Sequence, residues 1–229
     1  MSNATGTFFW LSFVYMFIKS KTDLSPQLSG LFLLIVMIFM YFINMTILQE
    51  HCGNINTFTV LKATVFPWLF IFGNMMFILT KFTWWKTPFS NTFGLLIARF
   101  SGCNTAFIDM LQPQEQVGNQ LHYVYSDPSL LVNKFTLENF EATVTKLSHI
   151  INTQAKDKIE IFKQFIRLKE AISEWIWYLL TASITISISY NSLISSKCVK
   201  TAEQYTESHN NAVAQTTPEV KPSVYTVTE

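Results

Sequence analysis

The sequence is poor in charged residues. Only 14% of its 229 residues are Asp, Glu, Lys or Arg, whereas soluble domains carry about 25%. The first half of the chain is almost free of acid, with Asp23 and Glu50 alone before residue 101. A formal net charge of +1 argues against a polycation, so we expect no specific nucleic-acid partner. With 49% hydrophobic residues, the composition excludes a disordered, collagen-like or disulfide-scaffold chain and favours a membrane protein over a soluble enzyme.

The sequence also lacks the motifs of catalytic and metal sites. It has no Walker loop and no G-x-S-x-G, H-E-x-x-H or G-x-G-x-x-G pattern. Its three cysteines are odd in number and form no C-x-x-C pair, which predicts neither a disulfide framework nor a zinc site. His51 and Cys52 with His122 are a conceivable metal set, but ordinary loop residues and a free thiol are the favoured interpretation. We therefore predict no catalytic residue, no cofactor and no metal, and a protein that is not an enzyme.

Three long stretches without charge predict membrane-spanning helices. A helix needs about 20 apolar residues to cross the hydrocarbon core, and the uncharged stretches cover residues 24–49, 63–80 and 175–196. A shorter apolar run at residues 5–18 lacks the basic start and the cleavage site of a signal peptide. We interpret this run as a first, short membrane helix, with an interfacial helix as the alternative. The prediction is an all-α, multi-pass membrane protein with three to four transmembrane helices.

Aromatic and basic residues border these stretches. Trp and Lys are enriched where a helix leaves the membrane, which predicts interface anchors at Lys81, Trp84, Trp85, Lys86, Trp175 and Trp177. The basic residues that follow the first and third helices place both regions on the cytoplasmic side. Both termini would then lie on the opposite side, although Lys197 and Lys200 argue against this orientation.

Polar residues inside the spans are few and uncharged. A charged residue in the middle of a span would mark a transport pathway, but the strongest polar groups here are Asn44, Asn74 and Asn191. We favour interhelical hydrogen bonds over an ion path for each of them. A small polar face on the last span should pack against another helix, and it consists of Thr181, Thr185, Ser189, Ser192 and Ser196.

Residues 88–102 predict an amphipathic helix. Its apolar residues recur at helical spacing directly after the Trp and Lys belt, and they are Phe89, Phe93, Leu96, Ile97 and Phe100. Such a helix is expected to lie along the bilayer surface. A helix that covers a small core is the alternative. Turn residues between positions 112 and 133 predict a loop before the next helix.

Apolar residues at spacings of three and four predict a long stalk helix that begins after Thr136 and runs into the last span. Its heptad seam contains Leu137, Phe140, Val144, Leu147, Ile151, Ile161, Phe165 and Leu168. This seam would support either an oligomeric coiled coil, and thus a possible homo-oligomer, or a helix pair within one chain. The polar seam positions Gln154 and Lys158 are where a bend is expected.

Residues 197–229 are polar and have no apolar period, which predicts an extended C-terminal tail that could act as an interaction arm. The chain therefore divides into four predicted parts. They are N-terminal membrane helices (1–80), an interfacial helix and loop (81–135), a long heptad helix that continues into the last span (136–196), and the tail (197–229).

Three patches of sequence carry a resemblance to a known family. They read WKTPFSNTFG at residues 85–94, YSDPSLL at 125–131, and WIWYLLT at 175–181 with SYN at 189–191. Over residues 80–195 the chain resembles transmembrane virion proteins of large icosahedral double-stranded DNA viruses, of the chlorovirus and nucleocytoplasmic large DNA virus kind. The resemblance implies a minor capsid protein in the host-derived inner membrane beneath the capsid. The implied partners are the lipid bilayer, the major capsid protein and other minor capsid proteins, and no enzyme activity is implied.

Composition and resemblance lead to the same functional hypothesis. A membrane anchor with a rigid stalk and a polar arm suits attachment, since many weak lattice contacts can hold a shell through multivalency. We expect a structural minor capsid protein embedded in the virion inner membrane, which tethers that membrane to the capsid shell by protein–protein contacts. The alternatives are a membrane channel or transporter subunit and a non-enzymatic membrane assembly factor.

Overall fold

The computed structural model describes residues 2–22, 26–53, 56–111, 124, 126–152, 154–196, 198 and 206. Within these residues the regular structure is helical, and the strand-like pairing is limited to an isolated bridge between Leu111 and Ile151. The predicted all-α fold is therefore confirmed. Apart from Cys198 and Thr206, the predicted tail lies outside the described residues, as does most of the predicted loop at 112–133.

The longer described helices are, in chain order, α1 (Ser2–Lys21), α2 (Pro26–Cys52), α3 (Thr57–Lys81), α4 (residues 87–100), α5 (Cys103–Met110), α6 (Ser129–Val132), α7 (Phe140–Lys146) and α8 (Lys156–Ile194). Two of them contain a π-helical segment, α3 at Trp68–Gly73 and α4 at Ser90–Gly94. A short 3₁₀ turn, Thr83–Lys86, joins α3 to α4.

Three helices, α2, α3 and α8, are long and apolar enough to cross a membrane. Their lengths and compositions agree with the prediction of a multi-pass membrane protein. Helix α8 has 39 residues, which extend about 58 Å at 1.5 Å per residue, whereas the hydrocarbon core is about 30 Å thick. Only half of α8 therefore fits in the core. The uncharged half from residue 175 is the part that suits lipid, and a stalk formed by the first half of α8 stays a prediction.

Helix α3 begins before the uncharged stretch that predicted it. The side chain of Asn56 caps its first turn, since Asn56 Oδ1 accepts hydrogen bonds from the backbone N–H groups of Phe58 and Thr59 at 3.1 and 3.2 Å. Pro67 consequently lies inside the helix and not near its start. The π-helical segment begins directly after Pro67.

Helix α1 packs in the same bundle, although it is not among the three candidate spans. Phe8 packs on Trp68 and Phe72 of α3, with ring centroids 5.6 and 5.3 Å apart, and Tyr15 stacks on Phe32 of α2 at 4.2 Å. We call α1, α2, α3 and residues 175–194 of α8 the bundle. The short N-terminal run is thus a bundle helix and not a separate helix lying flat.

The two ends of the bundle differ. At one end, here the far end, the C-termini of α2 and α8 meet the N-terminus of α3, and Leu48, Val60, Ala63 and Leu193 form a small buried cluster there. The opposite end carries the chain segment between α3 and α8. Because α8 passes through the bundle once, residues that follow it begin at the far end.

Helices α4 to α7 and residues 156–174 of α8 form a second unit, which we call the head. Its core contains four fully buried phenylalanines whose rings lie 5.1–6.1 Å from one another, Phe107, Phe135, Phe140 and Phe162. Edge-to-face and tilted contacts of this kind stabilise aromatic cores beyond the area they bury. The head therefore has its own hydrophobic core outside the bundle.

Helix α4 runs along α8. Near its start Phe89 packs on Trp177, with ring centroids 5.0 Å apart, and just beyond its end a Cβ on Gly102 would lie 3.9 Å from the ring of Phe165. The two helices are therefore antiparallel. This corrects the expectation of a helix that lies along the bilayer surface, and the structure instead shows the alternative, a helix that covers a small core.

Small residues explain this packing. Ser90, Gly94 and Ala98 are on the α4 face that contacts α8. A Cβ on Gly94 would lie 2.3 Å from the carbonyl oxygen of Lys169, so only glycine permits this approach. A search for apolar residues at helical spacing cannot detect a buried face that consists of small residues. The apolar stripe of α4 that such a search does detect is exposed, and it contains Phe93, Leu96, Ile97 and Phe100.

The predicted long heptad helix is interrupted between positions 147 and 155. Helix α7 ends at Lys146, and α8 begins at Lys156. Asn152 holds the intervening turn, because its backbone N–H donates to Met110 O at 2.9 Å and its side chain accepts from the N–H of Gln154 at 3.1 Å. The polar seam position Gln154 thus lies in a break between two helices, which corrects the prediction of one continuous helix.

The seam residues pack largely within one chain. Ile161 is 49% exposed, whereas the others are buried in, or packed against, intramolecular cores, namely Leu137, Phe140, Val144, Leu147, Ile151, Phe165 and Leu168. Packing within one chain, the second alternative for the seam, is what the structure shows. Self-association through these residues stays a prediction.

A candidate polar site between the bundle and the head

Four polar residues of α8 lie where the bundle and the head meet. They are Lys169, Glu170, Ser173 and Glu174, and Lys169 is only 1% exposed. Charged groups are rarely buried unless they are paired and hydrogen-bonded. We call these four residues and the groups that bind them the junction.

Lys169 connects α8 to the head. Its Nζ donates to Asn91 Oδ1 at 3.3 Å, to Val132 O at 3.3 Å and to Phe135 O at 3.1 Å. A lysine ammonium has three N–H donors and no acceptor, so these three oxygens match its capacity. The side chain therefore fixes α4 and the end of α6 against α8.

Glu170 and Ser173 connect α8 to the turn between α3 and α4. Glu170 Oε2 pairs with Lys86 Nζ at 3.3 Å, and both side chains are largely buried. Glu170 Oε1 accepts a hydrogen bond from the backbone N–H of Leu137 at 2.7 Å. Ser173 Oγ donates to the carbonyl oxygen of Lys86. The carboxylate of Glu170 thus joins α8 to the α3–α4 turn and to the segment before α7.

Glu174 connects α8 to α1. Its Oε1 accepts hydrogen bonds from Lys19 Nζ and from the hydroxyl of Tyr178. Tyr15, one turn before Lys19, exchanges a hydrogen bond with Ser29 of α2 at 2.7 Å. The junction therefore continues into the top of the bundle, and a movement of the head relative to the bundle would break several buried polar contacts at once.

A second buried group lies close to Lys169 in the head core. Burial raises the pKa of the Cys103 thiol to about 11, and the positive charge of Lys169 opposes this shift to a smaller extent. A thiol with such a pKa remains protonated at neutral pH and is a poor nucleophile. Cys103 is therefore a packing residue.

A polar cavity of about 460 Å³ opens beside the junction. The turn from α3 to α4, the segment from α6 to α7 and one face of α8 form its walls, which include the Lys86–Glu170 pair. At its rim Thr83 Oγ1 donates to Glu138 Oε2 at 2.6 Å. Asn133 Oδ1 is buried and accepts no hydrogen bond from any described residue.

The predicted tryptophan anchors are close to the junction. Trp177 Nε1 donates to Trp85 O at 3.0 Å, and Trp175 Nε1 donates to Ser12 Oγ at 3.0 Å. These two contacts join α8 to the α3–α4 turn and to α1. The rings predicted as lipid anchors thus also hold protein segments together.

The other predicted anchors differ in their surroundings. Lys81 and Trp84 are exposed at the end of α3, whereas Lys86 is paired in the junction.

Sequence reasoning missed the roles of Lys169 and Glu174. Both lie within six residues of Trp175 at the predicted start of the span, where a buried charge is costly, and this position is the only signal that could have identified them.

Cys52 and Cys198 form a disulfide at the far end of the bundle, with Cα atoms 5.2 Å apart. This corrects the prediction of a free thiol at Cys52, and the separation of 146 residues explains why spacing gave no hint. A ring nitrogen of His51 lies within 4.8 Å of both sulfur atoms, so these groups could ligate a metal only after reduction. His122, the third member of the metal set considered above, lies outside the described residues.

The asparagines of the spans do not converge. Asn44 is buried and donates from Nδ2 to Thr64 Oγ1 at 2.8 Å, as the predicted interhelical hydrogen bond requires. Asn74 and Asn191 are exposed on the outside of the bundle. The transport alternative depended on a path past all three residues, and their positions do not support such a path.

No protein-family model, curated protein or solved structure matches this chain.

Proposed function

We propose that this protein is a structural membrane protein whose bundle anchors a rigid head at one membrane face, where the head attaches the membrane to a protein shell. The observation that carries the proposal is the junction. Lys169, Glu170 and Glu174 connect α8 to α4, α1 and the intervening turns, so a force on the head is transmitted to the bundle through one continuous helix and buried polar contacts.

The resemblance described above extends the proposal to a particular setting. The membrane would be the inner membrane of a virion, and the shell would be its capsid, with the major capsid protein and other minor capsid proteins as partners. Repeated copies beneath a lattice would need only weak contacts each, because multivalency multiplies their effect.

Charge and disulfide chemistry support one orientation. Lys19, Lys81 and Lys86 are at the head end of the bundle, and basic residues favour the cytoplasmic face. The Cys52–Cys198 disulfide is at the far end, and disulfides persist in oxidising compartments. Both observations agree with a cytoplasmic head and with a tail that begins on the opposite face. The head and the tail would then meet different partners.

The exposed stripe of α4 is the surface that we assign to the shell. Phe100 is 84% exposed and lies with Phe93, Leu96 and Ile97 on the outside of the head. Apolar side chains that cluster on a water-exposed surface are typical of protein–protein contact sites. The tail, which the sequence predicts as an interaction arm, begins on the other side of the bundle from this stripe.

Incorporation into particles tests this assignment. A Phe100→Asp variant, co-expressed with the shell proteins, should still insert into membranes but should be depleted from purified particles. Leu130→Asp is the matched control, because Leu130 is an exposed apolar residue of the head outside α4. Equal incorporation of the Phe100→Asp variant and the wild type would contradict the assignment.

A truncation separates the head from the tail. Removal of residues 199–229 retains Cys198 and therefore the disulfide, whereas a deletion that starts at residue 198 would also break it. We expect the shorter chain to enter particles normally. Loss of incorporation would assign shell attachment to the tail.

A further inference from the structure

Three side chains that can ligate a metal converge at the far end of the bundle. They belong to His51, Cys52 and Cys198, and a ring nitrogen of the histidine and the two sulfur atoms all lie within 4.8 Å of one another. Compared with the metal set considered from the sequence, Cys198 takes the place of His122. Thiolate and imidazole groups are common zinc ligands in proteins. The fold thus gathers a ligand set that spacing along the chain does not show.

This cluster is accessible from water. His51 is exposed, and the two cysteines are partly buried. All three residues lie just beyond the uncharged stretches at 24–49 and 175–196, which suit the hydrocarbon core. A water-soluble reductant and a hydrated cation can therefore reach the three side chains.

A backbone carbonyl holds the imidazole ring of His51. Its Nε2 lies 3.1 Å from the carbonyl oxygen of Ile194, and because a carbonyl oxygen can only accept, this contact requires the proton on Nε2. The lone pair of Nδ1 is then left for a metal. Metal-binding histidines almost always donate their other ring N–H to a carbonyl, a carboxylate or water, which fixes the tautomer and the ring. His51 therefore has the second contact that a ligand histidine needs.

The disulfide joins a helix end to a segment outside the helices. Cys52 is the last residue of α2, whereas Cys198 follows the end of α8 by four residues. Two thiolates on one tetrahedral zinc ion lie about 3.8 Å apart, given Zn–S bonds of about 2.3 Å. After reduction the chain at Cys198 can move its sulfur to this separation without unwinding either helix.

We propose that reduction converts the Cys52–Cys198 disulfide into a zinc site with His51, Cys52 and Cys198 as ligands. A dithiol reductant supplies two electrons and two protons, so the S–S bond breaks, two thiols form and the dithiol is itself oxidised to a disulfide. Zn²⁺ then displaces the two thiol protons and binds both sulfur atoms and the neutral imidazole, and a water molecule fills the fourth position.

Both forms join the start of the tail to α2. The disulfide form belongs to the oxidising compartment to which we assign the far end, and the zinc form to a reducing one. A covalent cross-link is thereby replaced by a metal cross-link between the same two segments. The zinc site depends only on the geometry of the far end, so it stands whether or not the head binds a shell.

Zinc binding by the full-length protein, purified in detergent without a histidine tag, tests the proposal. The protein is reduced under argon with a water-soluble phosphine, which becomes the phosphine oxide, and excess phosphine is removed before Zn²⁺ is added. Native mass spectrometry counts bound zinc alongside the thermal unfolding midpoint. We expect one Zn²⁺ per reduced chain, recovery of the midpoint that reduction lowers, and no specific zinc in the oxidised protein. Equal binding by both forms, or none by the reduced form, would overturn the proposal.

Variants connect the zinc to these side chains. His51→Ala retains the disulfide, so its oxidised form should unfold like the wild type. Its reduced form should bind zinc at least about tenfold more weakly, because the loss of even an outer partner of a ligand costs about 10–100-fold. His149→Ala is the matched control, because His149 is an exposed histidine of the head. Cys198→Ser should abolish the site. Wild-type zinc affinity in reduced His51→Ala or in Cys198→Ser would overturn the proposal.

Cobalt separates binding by the cysteines from binding by exposed carboxylates. Co²⁺ that is bound to thiolates gives an intense charge-transfer absorption in the near ultraviolet, which Co²⁺ bound to carboxylates lacks. We expect this band in the reduced protein and not in the oxidised protein. Zn²⁺ should remove the band, because such sites bind zinc more tightly than cobalt. Metal binding by the reduced protein without this band would overturn the assignment of the ligands.

Discussion

The bundle and the head differ most at their surfaces. In the bundle large apolar side chains such as Trp10 and Phe70 are exposed, while Ser12 and Thr185 are fully buried. In the head four phenylalanines are buried, while Lys158 and Glu160 of α8 are exposed. Both regions bury aromatic rings, since Trp68 and Phe72 of the bundle are as fully buried as the phenylalanines of the head. The bundle interior also contains small polar residues and its surface is apolar, which is typical of helices that pack in lipid. The charged surface of the head is typical of a region in water.

Helix α8 belongs to both regions and changes its buried face between them. Its head half buries Phe162 and Ile166, whereas its bundle half buries Thr181, Thr185 and Ser189. These three threonine and serine residues belong to the predicted small polar face, which is confirmed at these positions, while Ser192 is exposed and Ser196 half-buried. The junction lies between these two halves of α8.

The contact between α4 and α8 should be the most sensitive point of the head. In a Gly94→Ala variant the new Cβ would meet the carbonyl oxygen of Lys169 at 2.3 Å, and a backbone atom cannot rotate away. We expect the head to lose its folded structure while the bundle persists, because the clash exceeds the overpacking that usually costs about 1–3 kcal/mol. Hydrogen exchange of head and bundle amides would measure the two regions separately.

Gly30→Ala provides the control for that experiment. A Cβ on Gly30 meets nothing within 4 Å, and alanine is the better helix former, so exchange in this variant should match or fall below that of the wild type. Equal protection of the head in Gly94→Ala and wild-type protein would contradict the close packing of α4 on α8.

Lys169→Met should have the next largest effect. Methionine has a similar length but cannot donate to Asn91, Val132 and Phe135. We expect a loss of about 3 kcal/mol in the unfolding free energy of the head, because one buried polar group without a partner costs about 1–3 kcal/mol. Denaturant titration monitored by head-specific protease cleavage would measure it. The exposed Lys158, changed to Met, should have little effect, and similar losses in both variants would argue against a specific role of Lys169.

Cys52→Ser should act on the bundle and not on the head. Loss of a native disulfide costs about 2–4 kcal/mol, and we expect the lower value because helices that stay inserted in lipid retain less freedom than an unfolded chain in water. The unfolding midpoint of the wild type should fall on addition of a reducing agent, whereas that of Cys52→Ser should already be low and should not change. A midpoint that is insensitive to reduction in the wild type would contradict the Cys52–Cys198 bond.

The thiol of Cys103 should have the smallest effect, and only at high pH. Because burial raises its pKa from 9.0 to about 11, the folded protein keeps a proton that the unfolded chain releases above pH 9. Stability should therefore fall as the pH rises from 9 to 11, with no contribution at pH 7. A Cys103→Ala variant, compared at each pH, corrects for the lysines and tyrosines that titrate in the same range. Parallel stability curves for the two proteins would show that the thiol is not buried as described.

Local patterns predicted the elements that depend on local chemistry. Uncharged stretches identified α2, α3 and the bundle half of α8, because exclusion of charge from lipid acts residue by residue. The same patterns failed at α4, where the buried face consists of Ser90, Gly94 and Ala98 and not of the apolar stripe. They also failed at residues 147–155, where a turn at Asn152 interrupts an apparently continuous heptad.

The sequence by itself determined that this protein is helical, that three of its helices can cross a membrane and that aromatic residues gather where the last span begins. Only the tertiary structure decided which residues meet there. The Lys19–Glu174, Lys86–Glu170 and Cys52–Cys198 pairs join residues 155, 84 and 146 positions apart. Such pairs depend on how the helices are arranged in three dimensions, and composition and periodicity report only on neighbours within a few turns of one helix.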